Sequence, residues 1–396
     1  MVKALINFEK LNVIVATGMP GAYKVIIFFL IEILLGATVL GQTASQFSIA
    51  QILGFFTAIG WSSLILVRLP KLNDRKELVE EFNSLFSMGI IVYCGLLPII
   101  CLVGYYFFTI EMTLEFIALS LAWSLYQFPR HYLLSLKEYF KLIVLDSLII
   151  LATLALIFET KNPILSISIP FIISSIISIF LINHSSGARI GLKLPERKGI
   201  EFGFNNFLSG GLVLSIIPAA QHLTGAEFAG LISLFISVTA ISLLIPRAVS
   251  LSQLPQLAKI GHDKLALLKM SQEMHRQISL FNWLTLGLNI LIAFIVSFYF
   301  TGNIYPIEII SMSFIIFAAF FANKTLVYSN VLMVNESSQK LLSITFKVAA
   351  IYFCGLILVV ITISELSFLF LTIIFLFCNI YRFLLARKAA GELLCQ

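Results

Sequence analysis

Apolar segments of about 20 residues alternate with short polar segments along the whole chain. A helix of that length crosses the roughly 30 Å hydrocarbon core of a bilayer, since each residue adds about 1.5 Å. The chain is therefore expected to be a polytopic membrane protein of the all-α fold class, with its helices in two six-helix lobes. The pattern predicts twelve transmembrane helices, at residues 13–35, 45–67, 85–108, 113–134, 140–158, 164–182, 202–223, 228–249, 278–300, 305–328, 341–363 and 366–385.

The charges between these segments predict their orientation. Alternate loops, with the adjoining helix ends, hold 24 of the 26 Lys and Arg residues. The opposite loops are short and carry Lys161 with several glutamates. Because cytoplasmic loops are enriched in Lys and Arg, both termini of this multi-pass protein are predicted to be cytoplasmic.

Composition excludes a water-soluble protein. Hydrophobic residues make up 59% of the chain and charged residues 12%, about half the charged share of an ordinary soluble domain. The net charge of +6 follows the membrane topology, so no nucleic-acid partner is expected. The five cysteines form no metal-binding pattern, and no metal or cofactor is predicted.

The twelve predicted helices divide into two groups of six. The most basic mid-chain loop separates them, which predicts an N-terminal lobe at 1–184, a cytoplasmic linker at 185–201 and a C-terminal lobe at 202–396. Short tracts recur in the two halves: TASQF at 43–47 is echoed by GAEFAG at 225–230. We expect a duplication about an axis normal to the membrane, as in many transporters.

These tracts, together with the run from Pro246 to Ala258, resemble the Wzx-type polysaccharide flippases of the multidrug, oligosaccharidyl-lipid and polysaccharide exporter superfamily. The resemblance implies a V-shaped pair of lobes around a central cavity, with alternating access. It also implies that the protein lies in the bacterial inner membrane. It implies transport of undecaprenyl-pyrophosphate-linked oligosaccharide repeat units to the periplasmic leaflet, for O-antigen or capsule synthesis. Contact with a polymerase and a chain-length regulator is also expected.

No enzyme motif is present: the chain has no nucleophile elbow, Walker loop or HExxH sequence. The protein is predicted not to be an enzyme. Without an ATP-binding motif its energy must come from an ion gradient, the membrane potential or the substrate's own gradient, and H⁺ and Na⁺ are the candidate coupling ions. A cation-coupled multidrug exporter of the same superfamily is the alternative function.

Lys24 is the leading candidate for substrate binding. It lies near the middle of the first predicted span, where a charge is costly unless a partner or a watery cavity compensates for it. It can attract a pyrophosphate from a cavity, or pair with Glu32, eight positions further along the helix. Glu32 can equally serve in ion coupling. Pro20 and Gly21, one turn before Lys24, are candidate hinges, as is Pro218 in the seventh span.

Arg130, Arg247 and Lys324 lie near the ends of their predicted spans. They are either cavity cations or simple interfacial anchors, because Lys and Arg at helix ends commonly extend to the interface. Arg130 and Lys324 occupy similar places in the two halves, and if both face the cavity they would capture a diphosphate at its cytoplasmic mouth. Asp146, in the fifth span, is a counter-ion for Arg130 or Lys141 or a protonatable coupling carboxylate.

Overall fold

The all-α fold is confirmed by a computed structural model of the chain. It describes residues 8–184, 191, 193–242, 246, 249–250, 257, 260, 264–301, 306–334, 338–362 and 366–395, and these form helices and turns without a β-strand. The contacts divide the chain into two compact units, Met1–Pro218 and Ala219–Gln396. The predicted linker at 185–201 remains a prediction.

The first unit has one continuous helix for each predicted span except the second and the seventh, which are in several pieces. Its helices are α1 (Phe8–Leu35), α2 (Ala37–Gly54), α3 (Gly60–Arg68), α4 (Arg75–Phe107), α5 (Ile110–Ser135), α6 (Tyr139–Thr160), α7 (Pro163–His184), α8 (Arg197–Asn206) and α9 (Leu212–Leu214), followed by α10 (Ile216–Thr224), which continues into the second unit. The other helices of the second unit are α11 (Ala226–Ser242), α12 (Lys264–Thr301), α13 (Pro306–Val334), α14 (Ser338–Thr362) and α15 (Ser367–Cys395).

Each of the twelve predicted spans falls on helix in the described residues, except at Phe108, Ser215 and Leu366. Nine described helical segments are long and apolar enough to cross a membrane, and two shorter apolar helices lie at 212–224 and 226–240. The remaining predicted span is α5, which carries Arg130 and His131 near its end. The chain is therefore a multi-pass membrane protein.

Two spans are interrupted by π-helical turns. One turn, Phe55–Ile59, joins α2 to α3, and the other, Phe207–Gly211, joins α8 to α9. Single π-turns inside α-helices often occur at functional sites. The ring of Phe207 lies 5.2 Å from that of Phe56, measured between centroids, so the two turns pack against each other.

The junction beside these turns depends on glycine. A β-carbon added at Gly60 would run into the backbone carbonyl of Gly199, and one at Gly199 would run into the Trp61 ring. Trp61 is completely buried. These glycines let α8 approach α3 at backbone distance, which is the packing that small residues permit between membrane helices.

Candidate functional site

Lys24 is held inside the first unit by residues of α2. Its half-buried ammonium group donates a hydrogen bond to Gln51 Oε1 at 2.6 Å and lies 5.4 Å from the centroid of the Phe47 ring. Gln51 and Phe47 are one helical turn apart, so they present their side chains to α1 together. Lys24 stands about 16 Å from the end of α1 at Leu35, at about 1.5 Å per residue, which is deep within a span.

An aromatic cluster surrounds this contact. The Phe47 ring meets Phe28 edge-on at 6.1 Å and Trp123 at 5.3 Å between centroids. Phe28 and Phe47 are 1% exposed and Gln51 is 5% exposed. The cation is therefore fixed by an amide oxygen and a ring face, neither of which carries a full negative charge.

Glu32 is not the partner of Lys24. Within the described part of the chain the structure forms four ion pairs, and Lys24 is in none of them. Eight residues of helix separate the two side chains by about 12 Å along the axis. The Glu32 Oε2 atom is buried and has no hydrogen-bond partner among the described residues. Among the described residues, no carboxylate therefore pairs with Lys24.

Arg130 is a buried connection between helices. It is 9% exposed, and its Nη2 donates a hydrogen bond to the carbonyl oxygen of Ala16 at 3.1 Å. Its Nε is buried without a hydrogen-bond partner among the described residues. The structure therefore ties Arg130 to α1, a role that is distinct from an anchor extending into the interface.

Asp146 is bound by Tyr126. The Tyr126 hydroxyl donates a hydrogen bond to Asp146 Oδ1 at 2.5 Å, and both residues are at most 4% exposed. Arg130 lies within electrostatic range of the same carboxylate. Lys141, the other predicted counter-ion, pairs with Glu138 at 2.9 Å.

A cavity of about 10 Å³ borders this carboxylate, between Pro20 and Tyr23 of α1, Tyr126 of α5 and Asp146 of α6. That is close to the room a single water requires. Asp146 Oδ2 is buried beside it and accepts no hydrogen bond from the described residues. The cavity and the open oxygen together form a place for one small polar or cationic species.

The Lys24 and Asp146 contacts belong to one polar centre, which we define by Lys24, Gln51, Tyr126, Arg130 and Asp146. Trp123 connects its two sides, because its ring packs on Phe47 at 5.3 Å and on Tyr126 at 5.9 Å. Four helices of the first unit, α1, α2, α5 and α6, supply the polar centre. It holds two cations and one carboxylate, so its net charge is positive when all three are ionised.

The second unit carries a basic cluster of its own. Lys324 Nζ lies 4.5 Å from the centroid of the Phe320 ring, and Arg387 and His275 are within electrostatic range of it. Arg382 has a buried Nε without a hydrogen-bond partner in the described ranges. Arg247 lies outside the described residues.

The candidate hinges differ in their surroundings. Pro20 lies inside an unbroken α1, and Gly21 faces open space. α9 ends at Leu214 and α10 begins at Ile216, so the helix is interrupted at Ser215, three residues before Pro218. A proline blocks the preceding turn by removing a donor and crowding the carbonyl four residues earlier, here that of Leu214. The Pro218 position is therefore the stronger candidate for bending.

The sequence does not single out Gln51 of the polar centre or Arg382 of the second unit. Gln51 and Arg382 stand among apolar neighbours in predicted spans, and a polar side chain inside a span is the only available signal for them. The partnership of Gln51 with Lys24 joins residues 27 positions apart. Only packing of two helices brings these side chains together.

Solved transporters share this fold over nearly the whole chain. An inward-facing multidrug resistance MATE family transporter of the MOP superfamily is 14% identical, with a TM-score of 0.67, covering 96% of this chain and 95% of its own. The MATE multidrug transporter DinF-BH, in complex with rhodamine 6G, is 15% identical, with a TM-score of 0.67. The match covers 99% of this chain and 96% of its own.

A MOP superfamily transporter from Pyrococcus furiosus Vc1, described as having reverse polarity of its binding pocket and a suggested different function, is 12% identical. Its TM-score is 0.62, over 98% of this chain and 95% of its own. No protein-family model matches the chain, and no curated protein matches it in sequence. The chain therefore has the two-lobed fold of MATE-like transporters of the MOP superfamily.

Proposed function

We propose that this protein is a transporter working by alternating access, whose substrate carries negative charge at the atoms bound by Lys24. The observation that carries the proposal is the Lys24–Gln51 contact. It places an ammonium deep in a span, and the described residues supply no carboxylate to neutralise it. Such a charge is costly in a membrane, and an anionic ligand offsets that cost.

The substrate class that fits best is an undecaprenyl-pyrophosphate-linked oligosaccharide, moved from the cytoplasmic to the periplasmic leaflet. Two phosphates and several sugars cannot cross hydrocarbon without a polar path. Lys24 and Arg130 of the first unit supply donors suited to phosphate oxygens. A polymerase and a chain-length regulator would act on the product.

A cation-coupled multidrug exporter is the second candidate, and the structural comparisons support it better than they support the flippase. Two of the neighbours described above are multidrug transporters, one of them in complex with rhodamine 6G. Asp146 favours this function as well, because a buried carboxylate with an open oxygen suits H⁺ or Na⁺ coupling. The neighbour with a pocket of reverse polarity supports the view that charge can differ within this fold.

One experiment separates the two functions. Purified full-length protein in proteoliposomes would be given a fluorescent polyprenyl-pyrophosphate disaccharide or rhodamine 6G, with wild type compared with Lys24→Gln and Lys24→Arg. We expect flipping of the pyrophosphate lipid to fall about tenfold or more in Lys24→Gln, the loss of one charge-assisted bond, and to persist in part in Lys24→Arg.

Export of rhodamine 6G by wild type, unchanged by Lys24→Gln and abolished by Asp146→Asn, would instead establish the multidrug exporter. Lys198→Gln serves as the matched control because this lysine is exposed and lies on α8, outside the polar centre. Each variant must elute as a single species in detergent before its transport is compared.

A further inference from the structure

A long apolar groove runs along the first unit, away from Lys24. Its volume is about 860 Å³, near the upper end of the range for ligand sites, about 300–1,000 Å³. Leu133 and Pro129 of α5 contribute to its floor, and residues of α6 and α7 form its two walls. We propose that this groove binds one acyl chain of an anionic phospholipid, with the phosphate at Arg75 and Lys141.

The groove is closed at one end and open at the other. At the far end of the groove α6 and α7 are joined, where Thr160 Oγ1 and Ser166 Oγ lie 3.0 Å apart. The α7 end is tied to α4 instead, through the hydrogen bond from Asn83 Nδ2 to Asn183 Oδ1 at 2.7 Å. The groove therefore opens toward the start of α6.

The apolar side chains on its walls are exposed on the protein surface. Leu148, Ile173 and Leu181 are 58%, 53% and 61% exposed, and all three line the groove. The apolar wall along α6, from Val144 to Leu156, is about 18 Å long at about 1.5 Å per residue. One leaflet supplies about 15 Å of hydrocarbon, so the groove matches one acyl chain and is too short for a polyprenyl chain that exceeds one leaflet.

The open end carries the charge that selects the headgroup. Arg75, Lys141, Glu138 and Asn73 line the groove there. Lys141 Nζ pairs with Glu138 at 2.9 Å but its side chain is 68% exposed, and an ammonium has three donors. The lining there holds two cationic side chains and one carboxylate. A guanidinium has five N–H donors and an ammonium three, so both cations can donate to the oxygens of a phosphodiester beside the contacts that they already make.

The bound chain would lie directly behind the polar centre. Pro129, which lines the groove, precedes Arg130, and Ile149 lines both the groove and the small cavity beside Asp146. A chain packed against Ile149 supports the helix that carries Asp146. This site goes beyond the proposed transport function, because it concerns a lipid of the surrounding membrane.

The test is photolabelling of the full-length protein in nanodiscs, with phosphatidylglycerol or phosphatidylcholine carrying a photoreactive acyl chain, and mapping of the labelled peptides. We expect phosphatidylglycerol to label the peptides of α6 and α7. The Arg75→Gln/Lys141→Gln double variant should lower its affinity about 30-fold, since each cation near a membrane surface contributes about fivefold. The matched control Lys76→Gln, an exposed neighbour that does not line the groove, should have little effect.

A second pair of variants tests the apolar walls. Ala152 lines the groove, so Ala152→Phe places a ring in it. Ala155, three residues along the same helix, is exposed and does not line the groove, so Ala155→Phe is the control. We expect only Ala152→Phe to abolish labelling of α6. Equal labelling by the two phospholipids, equal effects of the two phenylalanine variants, or labelling by a polyprenyl phosphate alone would each overturn the proposal.

Discussion

Arg68 binds Glu196 through two nitrogen atoms: Nη2 lies 2.5 Å from Oε2 and Nη1 lies 3.1 Å from Oε1. The same Nη1 donates to Glu81 Oε1 at 2.8 Å. This guanidinium therefore joins the end of α3 to α4 and to the residue that precedes α8. Paired, parallel hydrogen bonds of this kind are among the stronger charge-assisted contacts.

The Arg68–Glu196 pair predicts a dependence of stability on pH. The hydrogen bond from Arg68 lowers the pKa of the Glu196 carboxyl below its usual value. A carboxyl with a lowered pKa in the folded state stabilises the protein fully above its ordinary pKa of about 4.3, and this stabilisation is lost as the pH falls through the lowered value. Glu196→Gln should therefore reduce the unfolding temperature at pH 7, and the difference from wild type should vanish in strong acid.

Thermal unfolding of the purified protein across this pH range is the measurement. Glu201→Gln is the control, because Glu201 forms an exposed pair with Arg197 at 2.8 Å, and exposed pairs contribute about 1 kcal/mol or less. A difference between wild type and Glu196→Gln that persists unchanged in strong acid would contradict the electrostatic explanation.

Gly60→Ala is expected to destabilise the first unit. The added β-carbon would meet the backbone carbonyl of Gly199, and a backbone atom cannot rotate away as a side chain can. Overpacking of this kind costs about 1–3 kcal/mol. Gly95→Ala in α4 is the control, since a β-carbon there meets no atom within 4 Å, and alanine favours the helix by about 1 kcal/mol.

Denaturation in mixed detergent should show Gly60→Ala below wild type and Gly95→Ala at or above it. If both alanine variants were as stable as wild type, the close approach of α8 to α3 would have no energetic significance.

Gln51→Glu is expected to abolish transport of an anionic substrate while Lys24 remains in place. The new carboxylate would stand at the atom that now accepts the Lys24 hydrogen bond at 2.6 Å, and an ion pair there would neutralise the ammonium. Gln42→Glu is the control, since it lies nine residues earlier on α2 and faces the opposite side of the helix.

Flipping of the fluorescent pyrophosphate lipid in proteoliposomes is the measurement. We expect loss of activity in Gln51→Glu and retention in Gln42→Glu. Full activity in Gln51→Glu would show that the free charge of Lys24 is not what the substrate recognises.

Tyr126→Phe is expected to destabilise the protein more than Tyr93→Phe does. The first change removes the donor to Asp146 Oδ1 and leaves a buried carboxylate with one bond fewer. The second removes a hydroxyl whose two partners, the Ile117 carbonyl and the Ser120 hydroxyl, both at 3.0 Å, are neutral. Bonds to charged groups contribute about 1.5–3 kcal/mol and neutral bonds about 1 kcal/mol.

Unfolding temperatures of the two variants, measured in one detergent, check this order. Equal losses would mean that Asp146 is neutral in the folded protein. A hydrogen bond to a protonated carboxyl stabilises the protein about as much as a hydrogen bond to a neutral carbonyl does.

Several features of the fold follow directly from the sequence. The twelve predicted spans fall on helix in nearly all of the described residues, because apolar runs of this length are stable in a bilayer only when their backbone is hydrogen-bonded internally. The contacts of the polar centre are harder to predict from the sequence. Lys24 stands out as a lone charge in a span, but its partner is Gln51 rather than Glu32, because the packing of α2 against α1 brings Gln51 beside it.

The sequence by itself determined the all-helical class, the succession of membrane-spanning segments and the position of the few charges within them, because hydropathy and charge act locally along the chain. Tertiary structure alone decided which of these charges are paired. Arg130 reaches the carbonyl of Ala16, 114 positions away, and Tyr126 donates a hydrogen bond to Asp146 Oδ1. Such contacts depend on how the helices pack, and side chains 20 to 130 positions apart leave no periodic signal in the sequence.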